Sequence, residues 1–96
     1  MLKLKPNCES CGNDLPPNST GAMICSFECT FCNRCAETLL HNTCPNCGGG
    51  FEKRPIRPEA RLKEHPASEE PVEIGIDQQK HLNFLRQYRG VPPERR

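Results

Sequence analysis

Eight cysteines lie between Cys8 and Cys47 of a 96-residue chain, and the remaining half has none. Their spacing is Cys8-x2-Cys11-x13-Cys25-x3-Cys29-x2-Cys32-x2-Cys35-x8-Cys44-x2-Cys47. Eight thiols in a short chain suit either four disulfides or two metal sites of four thiolates each. Disulfide frameworks belong to secreted proteins. Here Met1-Leu2-Lys3-Leu4-Lys5-Pro6 leads into no apolar leader core. No run approaches the roughly 18 apolar residues of a membrane span. A cytoplasmic, reducing setting with free thiols is therefore expected, which favours metal.

The spacing points to zinc. Cys8-Glu9-Ser10-Cys11-Gly12 and Cys44-Pro45-Asn46-Cys47-Gly48 have the form of zinc knuckles. In such a turn two sulfurs face one ion, backbone N–H groups turn toward them, and glycine takes the positive φ that closes the turn. Iron held by four thiolates uses the same knuckles and is the alternative metal. Redox work by a Cys-x-x-Cys pair is the other use of the motif, but so many pairs in one short stretch read as ligands. A four-thiolate site is closed, with no position for water or substrate. The expectation is two structural Zn2+ ions, no catalytic residue and no enzyme activity. His41, His65 and His81 are not needed as ligands. Only His41 falls near the cysteines, and it reads as a surface residue.

Such a chain needs its metal. It is 34% hydrophobic with no tryptophan, and small polar chains seldom fold without cross-links. Each closed zinc site supplies on the order of 10 kcal/mol of binding. Eight ionised thiols and two divalent ions would carry the formal charge from +1 to about −3. That leaves no basic footprint for nucleic acid.

The elements that must position these thiols are short. The lead alternates Leu2, Lys3, Leu4, Lys5 and reads as a strand or an extended segment laying leucines on the module. Residues 13–21 are a loop by composition. Ala22–Cys25 and Cys29–Cys32 read as two strands of a hairpin, with Phe31 in the core and Phe27 either buried or exposed. Cys35–His41 has a helical look, about two turns, with Leu39 and Leu40 packing toward the hairpin. Phe51 reads as part of a final strand.

The character changes after Phe51. Residues 52–96 hold ten Lys/Arg, eight Asp/Glu and six of the ten prolines. Arg54-Pro55-Ile56-Arg57-Pro58 reads as extended, and Pro66 and Pro71 stop any helix near them. Asp77 is a fair N-cap and Gly90 a fair stop for a helix in which Leu82, Leu85 and Tyr88 form an apolar stripe. That stripe is the candidate partner-binding surface. Docking on its own module, self-association through residues 77–89 and capture of a protein partner are all open to it. The expected organisation is a two-zinc module over 1–55, an extended Pro-rich charged linker over 56–76, and an amphipathic helix and tail over 77–96.

Which cysteines share an ion is open from spacing alone. In sequential pairing, the first four cysteines hold one ion and the last four the other. In cross-bracing, Cys8, Cys11, Cys32 and Cys35 form site 1, while Cys25, Cys29, Cys44 and Cys47 form site 2. The gaps resemble those of the RING family. Cys29-Thr30-Phe31-Cys32-Asn33-Arg34-Cys35 is similar to its middle segment, and Cys44-Pro45-Asn46-Cys47 to its closing motif. The resemblance spans about residues 8–47 and implies the cross-brace. The implied fold is a small metal-stabilised α+β, RING-like or treble-clef module with one hairpin and one short helix, followed by the Pro-rich tail and C-terminal helix. A closer resemblance is to a small bacterial family known as domain of unknown function 1272. It is carried by Met1 to Cys8, Ile24-Cys25-Ser26-Phe27-Glu28-Cys29-Thr30-Phe31-Cys32, Cys44 to Gly49, Arg54-Pro55-Ile56-Arg57-Pro58 and His65-Pro66-Ala67-Ser68. It covers roughly residues 1–70 and implies no agreed activity.

Three functions compete. The first is a structural zinc protein acting as a protein-interaction module. The second is nucleic-acid binding in the manner of zinc ribbons, through Arg54, Arg57, Arg61 and Lys63, interrupted by Glu59 and Glu64. The third is RING-type ubiquitin-ligase activity. Pro45 and Leu39 or Leu40 match features of the surface that RING proteins use for it. Glu9 and Ser10 after Cys8, and Gly48 after Cys47, do not, and fold analogy does not carry function.

Overall fold

The computed structural model describes residues 1–96. Three short antiparallel strands form one sheet in the order β2-β1-β3: β1 Ala22–Ile24, β2 Thr30–Cys32 and β3 Glu52–Lys53. In the hairpin, Ala22 faces Cys32, Met23 faces Phe31 and Ile24 faces Thr30. Glu28 closes the connecting turn with φ of +65° and an N–H bond to the Cys25 carbonyl at 3.1 Å. β3 adds to the other edge, with Met23 opposite Lys53 and Ile24 opposite Glu52. Phe51 lies just before β3 and packs edge-on against Phe31, with ring centroids 5.3 Å apart. Both rings are buried, together with Leu4, Leu15, Ala22, Ala36 and Leu40. Cysteines supply much of the rest of this core, as a chain so poor in large apolar residues requires.

The expected short helix is a wide π-type turn over Cys35–Leu39. The Leu40 N–H reaches back to the Cys35 carbonyl at 2.8 Å. Cys35 and Ala36 face inward and Leu40 is fully buried, but Leu39 is 58% exposed. The expectation that both leucines pack on the hairpin is corrected: the five-residue step from Cys35 lands Leu40 in the core and turns its neighbour outward. Phe27 is also exposed.

The N-terminal lead is an extended segment. It buries Leu4 and makes an isolated bridge between Asn7 and Asp14. Arg54, read from sequence as part of an extended basic stretch, is among the most deeply buried side chains. Its guanidinium donates to the carbonyls of Lys5 at 2.9 Å, Leu15 at 3.1 Å and Pro16 at 2.8 Å. Burial pulls its pKa below the ordinary value. Arg57 likewise donates to the carbonyls of Leu2, His65 and Pro66.

Residues 56–76 include one helical turn, α1 Glu59–Leu62, and then run along the module. Ser68 N–H donates to Leu4 O, Val72 N–H to Asn7 Oδ1 and Gly75 N–H to Glu9 O. After this strap comes α2, Gln78–Gln87. Asp77 caps it by accepting from the Lys80 N–H at 3.0 Å, and Gly90 leaves it at φ of +72°. α2 lies on its own module. His81, expected to lie away from the cysteines, is buried there, with Nε2 3.0 Å from the Leu40 carbonyl.

Candidate metal centres

Each cysteine is placed by the element that precedes or follows it. Cys8 and Cys11 flank the first knuckle, and Cys44 and Cys47 the second. Gly12 and Gly48 close these turns at φ of +80° and +78°. Their N–H groups return to the carbonyls of Cys8 at 3.0 Å and Cys44 at 2.8 Å. A side chain at either position would be strained, which is why glycine stands there. Cys25 and Cys29 bracket the hairpin turn. Cys32 ends β2 and Cys35 opens the π-type turn.

Folding brings these sulfurs into two clusters. Those of Cys8, Cys11, Cys32 and Cys35 all lie within 4.8 Å of one another, and so do those of Cys25, Cys44 and Cys47. Cys29 falls outside the second mutual limit, though the Asn46 side chain of the second knuckle reaches its sulfur. The grouping joins the first knuckle to the end of the hairpin, and the hairpin turn to the second knuckle. Sequential pairing would need Cys8, Cys11, Cys25 and Cys29 together, and the chain does not bring them together.

The donor set fits a tetrahedral thiophilic ion. Four sulfurs at 2.3 Å from one ion stand about 3.8 Å apart, and Cys11 Sγ and Cys32 Sγ are separated by 3.7 Å. All eight thiols are unbridged. Backbone N–H groups point at the sulfurs: those of Ser10 and Cys11 at Cys8, Cys35 at Cys32, Phe27 at Cys25, Asn46 at Cys44 and Gly49 at Cys47, over 3.3–3.5 Å. The Asn46 side-chain amide donates to Cys29 Sγ at 3.4 Å. Such donors favour thiolate over thiol.

Crowding the thiols polarises them. Hydrogen bonds with Cys29 and Cys44 hold Cys25 down at about 3. The same contacts, with Cys25 first and Cys29 second, push Cys44 far up. In the first cluster, burial and the Cys32 side chain push Cys35 up to about 12, and burial raises Cys11. Burial acts against Cys8 too, but the backbone N–H groups of Cys11, Cys32 and Ser10 outweigh it and leave this thiol below its ordinary value. A divalent cation held by such a set would let every thiolate ionise against the same charge.

Residues 1–57 match the family described as a protein of unknown function, DUF1272. The chain belongs to this family. A similar relative is an uncharacterized protein of Rhizobium meliloti (strain 1021), 65% identical over 68 residues, which is 71% of this chain and 81% of the relative. No solved structure matches the chain. The family match takes in all eight cysteines, while α2 lies beyond it. No helix is long and apolar enough to cross a membrane.

The three candidate partner-binding residues on α2 have different surroundings. Tyr88 and Phe84 lie over the second knuckle, so close that a Cβ on Gly48 would meet them at 2.7 and 2.8 Å. Leu82 is 39% exposed, and Leu85 is half-buried between them. Sequence reading missed Arg54 and Arg57 as structural clamps and Arg96 as a tie. Arg96 donates to the carbonyls of Asn42 at 2.9 Å and Gly48 at 3.2 Å, and its guanidinium lies over the Tyr88 ring. No local pattern marks these arginines, because their partners are backbone oxygens distant in sequence.

Proposed function

We propose that the chain is a structural two-zinc, cross-braced module of RING-like type whose rigid surface serves contact with a protein partner. The interleaved grouping of the sulfurs carries this reading. Site 1 is Cys8, Cys11, Cys32 and Cys35; site 2 is Cys25, Cys44 and Cys47, completed by Cys29 as it swings in from its place beside them. A site closed by four thiolates stabilises and does not catalyse, so the reading is non-enzymatic. Zinc would supply the free energy that the small apolar core cannot.

The nucleic-acid alternative loses much of its surface. Of its four cations, Arg54 is buried and Arg57 is held by three carbonyls. Elemental analysis should find two zinc ions per chain. Cadmium-113 NMR should assign Cys8, Cys11, Cys32 and Cys35 to one resonance and the other four to the second. One ion per chain, or a resonance shared by Cys11 and Cys25, sinks the reading.

A further inference from the structure

Resting on that reading, we propose that the groove between the Cys35–Leu39 turn and α2 is the docking site for a short acidic peptide segment with an apolar anchor. α2 does not close against the turn along its whole length. It leaves a hollow of about 470 Å³ lined by Leu39, Ile76, Leu82 and Leu85. A second hollow, of about 390 Å³, continues it past Arg89 and Arg96. The two share His41 and Leu85, and no aspartate or glutamate lines either. One end of the groove is therefore apolar and the other cationic.

The apolar end exposes side chains that this chain had the means to bury. Leu39 is 58% and Leu82 39% exposed, on facing sides of the hollow. At the cationic end Arg96 is held by the carbonyls of Val91, Asn42 and Gly48, and Arg89 has no acidic partner. The chain's ion pairs, Lys3 with Glu70 and Lys5 with Glu9, lie elsewhere. Arg89 lies just past the end of α2, and Arg86 stands in the last turn of the helix.

Charge selects the occupant. A second copy docking through its own α2 would bring Lys80 and Arg86 on a helix that has no acid over Gln78–Gln87, with Arg89 just beyond it, and like charges repel. Nucleic acid would satisfy the arginines but leave the leucines unfilled. An acidic segment with an apolar side chain at one end satisfies both. Along α2, from Gln78 to Gln87, the groove runs about 14 Å, which takes about nine helical or four extended residues.

The test uses the full zinc-loaded chain, labelled with nitrogen-15. The probes are synthetic 12-residue peptides with two leucines at one end and glutamate, glutamine or lysine elsewhere, and a single-stranded 12-nucleotide DNA. The glutamate peptide should bind saturably and shift the amides of Leu39, Leu82, Leu85 and Arg89. Arg89→Glu should weaken it about tenfold and gain affinity for the lysine peptide. Leu82→Gln, on an exposed face, should weaken all three peptides. Equal binding of the glutamate and lysine peptides, shifts confined to another face, preference for the DNA, or no saturable binding would overturn the proposal. If two ions and a dispersed spectrum persist through such a failure, the groove assignment alone falls. If the chain holds fewer than two ions, the two-zinc reading falls and takes the groove with it.

Discussion

The two cysteine clusters are built alike and covered differently. In the first, Cys11 is open to solvent while Cys8 and Cys35 are buried. Its cover is one strap of extended chain: Ile74 lies 2.7 Å from where a Cβ on Gly12 would stand, and Ile74 is itself 61% exposed. The second cluster has no fully exposed sulfur. Phe84 and Tyr88 lie on Gly48, Pro93 lies on Gly50, and Arg96 ties the tail to the same turn. Both knuckles use the bare face of a glycine as a seat, but only the second receives aromatic rings. The family-matched region thus offers two similar seats, and the segment beyond it fills them unequally.

The largest expected effect removes the comparison altogether. Chelation of the two proposed ions under reducing conditions should unfold the module, read as collapse of amide dispersion, because each closed zinc site would contribute on the order of 10 kcal/mol. A chain that keeps its dispersion after metal loss refutes the role assigned to the sulfurs. Substituting one ligand per cluster sharpens the difference. Cys44→Ser should lose the second ion and release α2, seen as disappearance of the buried His81 environment by NMR. Cys11→Ser, at an exposed ligand that water can replace, should keep the fold and only speed chelator access to the first ion.

Arg54→Ala comes next. It strips the donor from three carbonyls beside the first knuckle, at a cost of about 2–4 kcal/mol in denaturant unfolding. Hydrogen exchange should rise around Lys5 and Leu15 and stay low around Cys44. The smallest effects test the seats. Gly48→Ala should cost about 1–3 kcal/mol, since it combines an unfavourable φ with displacement of two rings. Gly12→Ala meets only the tip of an exposed isoleucine and should cost about 1 kcal/mol. Equal costs at the two glycines would erase the asymmetry.

Much of the candidate site was legible because its rules are local. Cys-x-x-Cys-Gly dictates a turn, and both turns are there with positive φ at Gly12 and Gly48. Ser26-Phe27-Glu28 reads as the turn between two short strands, and the hairpin is there; Asp77 caps α2, and Gly90 lies just past its end. The pairing of the thiols was not fixed by spacing; only a resemblance implied a cross-brace, and the structure gathers four sulfurs in one cluster and three in the other, with Cys29 outside. What local rules could not give is long-range. Leu39 and Leu40 are equally apolar, and only the five-residue step of the π-type turn separates them. Arg54 and His81 look like surface residues until the carbonyls they serve, at Leu15 and Leu40, arrive from 39 and 41 residues away. Residues 56–76 are rich in proline and charge, yet they are tied down through backbone groups that composition does not reveal.

The grip of Arg54 is indifferent to the side chains around it. Because it holds oxygens of the main chain, exchanging the side chains of Lys5 or Pro16 would leave its acceptors in place. The junction's three hydrogen bonds therefore hang on a single side chain, and losing it frees three carbonyls at once.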